Sequence, residues 1–482
     1  MSNLSELLPT GGGQNAVDFV ASGTLSSGQT VVLRSDGKVE AVAEGGPSSG
    51  SPVVFENATS AGVSATFDSN SNKIIIAYRD NGNSFSGTAI VGTVSGTSIS
   101  FGTPVVFDSA FASDLFATFD SNANKVVIAY ADGNNSYYGT AIVGTVSGTS
   151  ISFGSSVVFE SAFSAGMSAT FDSTSNKVVI SYQDGSNSYY GTAIVGTVSG
   201  TSISFGTPTV FESANSGEQS ATFDSNSNKI VIAYRDAGNS QYGTAVVGTI
   251  SGTSISFGTP TVFDSAYTSY SSATFDSNSN KVVIAYQQDA TSSRYGAAIV
   301  GTVSGTSISF GSAVVFESAR TDWISATFDS TSNKVVISYS DFGNSSYGTA
   351  IVGTVSGTSI SFGSPVIFEA ASTTETSSTF DANLNKIVIA YADGGNSGYG
   401  TSAVLQAAPT NYTDFIGITA EAISDTATGA VNVYGGINEA QTGLTIGSDY
   451  YVQADGSLST ATSTVKVGKA ISATTINMMD LT

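Results

Sequence analysis

Between residues 51 and 408 the chain repeats one alternation of apolar runs and polar breaks. A full repeat, Ser220–Ser265, reads SATFDS-NSN-KIVIAYRD-AGNSQ-YGTAVVGTIS-GTS-ISFGTPTVFDS. Its apolar residues fall in four runs of β-branched and aromatic side chains. Clusters of Gly, Asn, Ser and Asp separate the runs, as expected of strands joined by tight turns. No apolar stripe at helical spacing occurs. The expected strands are A (ATFDS), B (KVVIAY), C (GTAIVGTVS) and D (SISFG followed by PVVFES). The strand A phenylalanine returns at Phe67, Phe119, Phe171, Phe223, Phe275, Phe328 and Phe380, 52 residues apart except for one step of 53.

Four strands in about 50 residues is the size of one β-propeller blade. An immunoglobulin domain would need about 100 residues. A stacked solenoid would also repeat, but two features favour a ring. Pro52, Pro104, Pro208, Pro260 and Pro365 recur in strand D. Proline cannot donate to a central ladder, so D belongs on the outer edge of each blade and A on the axis. The second feature is a missing copy: SGTSISFG occurs six times and the strand A motif seven times. The region opens at Ser51 with half of a strand D, and it ends at Gly400–Ala408 with a strand C that has no D. The orphan completes the last repeat and leaves no open sheet edge. The expected fold class is all-β: a seven-bladed β-propeller of four-stranded blades over residues 51–408, closed by its N-terminal strand and inserted in a small discontinuous β domain.

In such a blade the D–A and B–C connections share one face, and the A–B and C–D turns share the other. The A–B turn barely changes between repeats (DSNSNK, DSNANK, DSTSNK, DANLNK), and the C–D turn is SGTS wherever it exists. The D–A connections range from NATSAGV to SARTDWIS, and the B–C loops from DNGNSFSG to QDATSSRYG. Variation is confined to one face, and loops on a rigid scaffold are where binding function concentrates. That face carries Phe111, Phe163, Tyr267, Tyr270, Arg320 and the single tryptophan, Trp323, from D–A connections. Phe85, Tyr137, Tyr189, Arg294 and Phe342 come from B–C loops. Aromatic and arginine side chains are the types that dominate recognition hot spots. These eleven are the candidate ligand-binding residues; the competing reading is neutral drift in unconstrained loops. Strand direction puts the entry to and exit from the ring on the constant face.

Residues 15–45 and 412–482 also read as short strands, with RSDGK turning at Asp36-Gly37. They are expected to pair as one discontinuous β base. Residues 1–14 read as a flexible leader whose Leu4, Leu7 and Leu8 could tether a partner. The opening MSNLSELLPTGGG has neither the basic nor the apolar region of a signal peptide. Charge narrows the partners. Fifteen Lys and Arg against 37 Asp and Glu give −22, which disfavours nucleic acid and anionic membrane surfaces. No apolar stretch approaches the roughly 18 residues of a membrane-spanning helix. With no Cys and no His, disulfides, thiol chemistry, Ser–His triads and most zinc sites are excluded.

Enzymatic and metal motifs are weak. SGTSISFG falls where sialidase-like propellers carry an Asp-box but lacks its aspartate and tryptophan. Arg79, Arg235, Arg294 and Arg320 share the variable face and could cradle a carboxylate if they converged; their separation around the ring argues against it. A glycosidase needs only paired carboxylates, yet no such motif is visible. DSNSNK resembles the start of a calcium loop, but Lys stands where that loop needs Gly and no acid closes it. It reads as a hairpin turn in which Asp68, Asn72 and their copies bond the backbone. The aspartate after strand B (Asp80 and its copies) reads as an organiser of the B–C loop, and the tyrosine before strand C (Tyr138 and its copies) as packing between blades. No enzyme activity, cofactor or metal is expected.

The flanking segments SELLPTGGGQNAVDFVASGTLSSGQTVVLRSDGKVEAVA and TDFIGITAEAIS…GLTIGSDYYVQADGSLST…VKVGKAIS resemble modules of tailed-phage virion structural proteins, of the marine and cyanobacterial phage type. The repeat resembles propeller arrays in the same class, so the resemblance extends over most of the chain. It implies a virion location and a fibre, spike or other appendage. The base would dock on other virion proteins, and the variable face would meet a host-surface glycan or protein. The alternative is a capsid or neck decoration protein with a mainly structural role; a glycan-cleaving spike is more remote. A homo-oligomer is compatible with a fibre, although no coiled-coil heptads support one.

Overall fold

The computed structural model describes residues 15–34, 36–42, 46–289, 293–407, 414–453, 456–463 and 465–478. The expected leader at 1–14 and the expected domain boundary at 412 lie outside them. The protein is all-β, with no α-helix among the described residues. The chain divides into two compact units: residues 47–407, and residues 1–46 with 408–482.

The larger unit is a propeller-like ring of antiparallel strands. In each repeat strand B pairs with A on one side and C on the other, as Lys125–Asp132 does with the neighbouring strands. Strand C ends in a two-residue hairpin; Ser95 pairs with Ser98 across Gly96-Thr97. Gly96 takes a left-handed φ of 61°, which a tight hairpin needs and which glycine adopts without steric cost. The strand order runs through every repeat and returns to its start, where Tyr399–Gln406 pairs with Val53–Asp68.

Two details depart from the expected strand plan. The D–A connections are not loops. The second half of D and the whole of A form one 16-residue strand, such as Val157–Asp172, interrupted by a bulge between Ala165 and Ser168. Its first half pairs with strand C of one repeat and its second half with strand B of the next. In addition, the ring takes in residues upstream of Ser51. Ser48–Ser49 pairs with Leu405 and Gln406, standing where Phe101 and its neighbours stand in other repeats.

Each junction between repeats has its own apolar core. Ile75, Ala77, Ala89 and Val91 of the first repeat pack with Val126, Ile128, Tyr130 and Ile142 of the second. At the last junction Ile74, Ile76 and Tyr78 pack with Val388, Ala390 and Val404. The strand B tyrosines, Tyr78 through Tyr391, are fully buried there, whereas Tyr138 and its copies are only half-buried. A phenylalanine from the preceding strand D meets each buried tyrosine, as Phe55 meets Tyr78 at 5.1 Å. In several repeats the phenol then donates to the carboxylate beside that phenylalanine: Tyr78 to Glu56 at 2.9 Å and Tyr234 to Glu212 at 2.9 Å.

Neighbouring A strands are also laced together by serine. The Ser64 hydroxyl accepts from the Ala117 N–H at 2.9 Å, and Ser168, Ser220, Ser272 and Ser325 accept likewise from the next repeat. Ser377 accepts from the Ala65 N–H at 2.9 Å, linking the last repeat to the first. In the second repeat Phe116 occupies the serine position.

The smaller unit joins both ends of the chain. Ala16–Val20 pairs with Thr428–Val433, and Thr30–Leu33 with Phe415–Thr419. A second sheet holds Asp449–Val452 against Lys466–Ala470. Val32, Phe415, Ile418, Val452, Val467 and Ile476 share one core, so residues from opposite ends of the sequence bury one another.

Candidate functional site

The variable positions are brought together by one recurring piece of local chemistry. After strand B an aspartate accepts from the backbone N–H two residues on: Asp132 from Asn134 at 2.9 Å and Asp184 from Ser186 at 2.9 Å. The following turn reverses the chain through two left-handed residues, Ser136 (φ 54°) and Tyr137 (φ 60°). The Tyr137 N–H donates to the Asp132 carbonyl at 2.8 Å, and its own carbonyl accepts from Ser164 N at 3.0 Å. The B–C loop is thereby tied to the bulged strand of the next repeat. At the other end of the strands, both Asp68 carboxylate oxygens are taken up by the A–B turn itself, through Asn70 N, Ser71 N and the Ser71 hydroxyl.

In the first three repeats this geometry builds a row of rings. Phe85, Phe111, Tyr137, Phe163 and Tyr189 follow one another at centroid separations of 5.6, 5.8, 5.9 and 6.1 Å. Neighbouring rings are tilted or edge-on, the arrangements that aromatic quadrupoles favour. Phe85, Tyr137, Phe163 and Tyr189 are each between 37% and 45% exposed, so one side of the row faces solvent. The Arg79 guanidinium lies 4.7 Å from the Phe111 centroid, a cation–π contact. Beyond Tyr189 the row gives way to amides, Gln183 donating to Asn215 at 3.0 Å.

The fourth to sixth repeats build something different at the equivalent positions. Glu218, Arg235, Tyr267, Ser269, Tyr270, Gln287, Asp289, Arg294, Arg320 and Asp322 line one cleft of about 440 Å³. Contrary to the expected separation of the four arginines, three of them share this cleft. Arg79 alone stands apart, on the aromatic row. Each cleft arginine has a carboxylate neighbour: Glu218 at 3.6 Å from Arg235, Asp289 at 3.5 Å from Arg294, and Asp322 at 2.5 Å from Arg320. Arg235 also donates to the Tyr267 hydroxyl at 2.9 Å. Trp323 packs on Tyr270 at 5.2 Å, and Phe342 lies 4.1 Å beneath the Arg320 guanidinium. Burial, with the Asp322 and Glu218 charges beside it, raises the Tyr270 phenol above its ordinary range.

The eleven candidate residues thus fall into two groups, five in the aromatic row and six in or against the cleft. Glu218, Arg235, Ser269, Gln287, Asp289 and Asp322 line the cleft but were not among the eleven candidates. A signal for Glu218 was present at the bulge, which reads Gly62, Asp114, Gly166, Glu218, Tyr270, Trp323 and Glu375 and is left-handed in every repeat. Tyr and Trp are poorly suited to that conformation, and strain of roughly 1–3 kcal/mol of this kind gathers at functional sites. At the same position the Asp114 and Glu375 carboxylates accept from the Gly166 and Gly62 N–H groups of the next repeat. Burial raises both above the usual carboxylate range.

No protein-family model and no curated protein sequence matches the chain. Among solved structures it is similar to AofleA from Arthrobotrys oligospora, with a TM-score of 0.42 and 10% identity over 69% of this chain and 93% of that one. A triple arginine-to-alanine mutant of the same protein gives a TM-score of 0.43 at 10% identity, over 69% and 94%. Likeness at that level carries no assignment of ligand or role.

Proposed function

We propose that the chain is a non-enzymatic recognition protein: a closed seven-bladed propeller whose variable face binds a carbohydrate chain. The aromatic row carries this reading. Five rings in line, four of them substantially exposed, offer successive stacking platforms to the C–H faces of sugar rings. A half-exposed strip of this length suits an extended polymer better than a small molecule, which prefers a concave site. In this reading the closing bonds from Ser377 to Ala65 and from strand C of the last repeat to Val53–Asp68 keep the platforms in register. The sequence resemblance supplies the setting. The protein is a phage virion appendage, the discontinuous β domain docks on other virion proteins, and the polymer is a host-surface glycan.

Affinity electrophoresis through gels containing soluble polysaccharides tests the binding. Retardation by at least one polysaccharide is expected, and Phe163→Ala and Tyr137→Ala should abolish it without lowering the unfolding midpoint by more than a few degrees. No retardation by any polysaccharide, or retardation indifferent to both variants, refutes the row as the site. Antibody labelling of intact phage particles tests the setting; unlabelled particles would remove the virion role and leave the binding role standing.

A further inference from the structure

We infer that the cleft between the fourth and sixth repeats is a second sugar site, and that it takes a neutral hydroxylated ring rather than a carboxylate-bearing one. The inference rests on the carbohydrate-binding reading and adds a ligand class to it. Three arginines on one cleft would ordinarily point to an anion. Here Glu218, Asp289 and Asp322 stand 3.6, 3.5 and 2.5 Å from those arginines, so the cleft is balanced in charge. An incoming carboxylate would meet three carboxylates as well as three guanidiniums, on a chain of net charge −22. The long-range field of such a chain repels anions.

The unmet hydrogen-bonding capacity points the same way. Asp289 Oδ1 is buried and has no hydrogen-bond partner among the described residues. A buried carboxylate oxygen wants a donor. A sugar hydroxyl reaching this carboxylate, whose side chain is 19% exposed and can turn its free oxygen outward, supplies a donor and, through the same oxygen, an acceptor for Arg294, whose side chain is 48% exposed beside it. A ligand carboxylate group placed there supplies only acceptors. Tyr267, 42% exposed, provides a ring for stacking, and its hydroxyl is already held by Arg235. The cleft volume of about 440 Å³ falls within the range of sites that enclose small ligands.

Trp323 is the only tryptophan of the chain and packs on Tyr270 at the cleft wall, so fluorescence excited selectively at tryptophan, beyond the absorption of the 21 tyrosines, reports on this site. The full-length protein is titrated with glucose, galactose, mannose and fucose, and with glucuronate and galacturonate as the acid counterparts of the first two. A saturable change with at least one neutral sugar is expected, and no acid should bind better than its neutral parent. Asp289→Asn should weaken the response about tenfold or more, as loss of a charge-assisted bond does. Tyr267→Ala should weaken it independently. Equal or tighter binding of an acid, no response to any of the sugars, or full affinity in both variants overturns the inference. Polysaccharide retardation of Asp289→Asn separates the two readings. If that variant is retarded normally while the wild type shows no fluorescence response, the cleft inference fails and the aromatic row stands.

Discussion

The buried strand B tyrosines offer a test of what holds neighbouring repeats together, because one of them differs in a single interaction. Tyr234 and Tyr339 occupy the same position, both 0% exposed. Both pack on a strand D phenylalanine, at 5.2 and 5.3 Å. The Tyr234 phenol donates to Glu212 at 2.9 Å, whereas the buried Tyr339 hydroxyl has no partner among the described residues. Substitution by Phe removes one oxygen from each and leaves the ring in place. A hydrogen bond to a charged group contributes about 1.5–3 kcal/mol. The released Glu212 is only partly buried and can hydrate, so Tyr234→Phe should cost about 1–2 kcal/mol. Removing the unsatisfied hydroxyl by Tyr339→Phe should be neutral, or stabilising by up to about 2 kcal/mol. Equilibrium unfolding in urea, compared at matched slopes, measures both, since a changed slope would mean altered cooperativity. The pH dependence adds a second check. Burial raises the Glu212 carboxyl, and the phenol bond pulls it back. The deficit of Tyr234→Phe should therefore shrink once the pH falls below the folded-state value and the carboxyl becomes neutral. Equal losses in the two variants, or a larger loss for Tyr339→Phe, would refute the reasoning.

Two further outcomes are expected. A Cβ on Gly102 would sit 1.8 Å from the Thr149 carbonyl of the next C–D turn, while the equivalent Gly363 has, among the described residues, nothing nearer than Val352 O at 3.8 Å. Gly102→Ala should then destabilise by about 1–3 kcal/mol or more. Gly363→Ala should be neutral or stabilise by about 0.4–1 kcal/mol, and thermal unfolding of the pair decides. The second outcome concerns pH. Burial raises Glu56, Asp108, Asp114, Glu160, Glu212, Glu369 and Glu375 above their ordinary values. Between the ordinary carboxylate value near 4 and each raised value, the folded chain binds more protons than the unfolded one, so stability rises as pH falls through that window. The urea midpoint should be higher at about pH 5 than at about pH 7.5; a midpoint that falls steadily as the pH is lowered over that range would contradict the assignment of these shifts to burial.

Strand positions were legible because their signal is local. The apolar runs of strands B and C, the alternation in SISF and the Gly at the first position of each hairpin are all read within ten residues. Glycine also recorded a long-range fact in miniature. Gly102 and its copies face the next C–D turn, and the last repeat lacks the SGTS that would face Gly363. The continuity of D and A was not legible. NATSAGV and its relatives are small and polar enough to pass for loops, and only pairing with two different neighbours makes them strand. Ser48–Ser49 was missed for a related reason: with serine where Phe101 stands elsewhere, the segment carries none of the repeat's apolar pattern.

The division between sequence and tertiary structure is clearest on the variable face. Composition and repetition by themselves determined that this is an all-β repeat chain, that its charge disfavours polyanions, and that aromatic and arginine side chains concentrate on one set of connections. Those properties depend on residue identity and on spacing within a repeat. Tertiary structure alone decided that the eleven candidates divide into a row of rings and a charge-balanced cleft. It also decided that Arg235, Arg294 and Arg320 line one cleft, and that Asp289 Oδ1 has no donor among the described residues. Such contacts depend on how far each strand is rotated and bulged against its neighbour, and residues some 50 positions apart meet or miss by a few ångströms on that rotation.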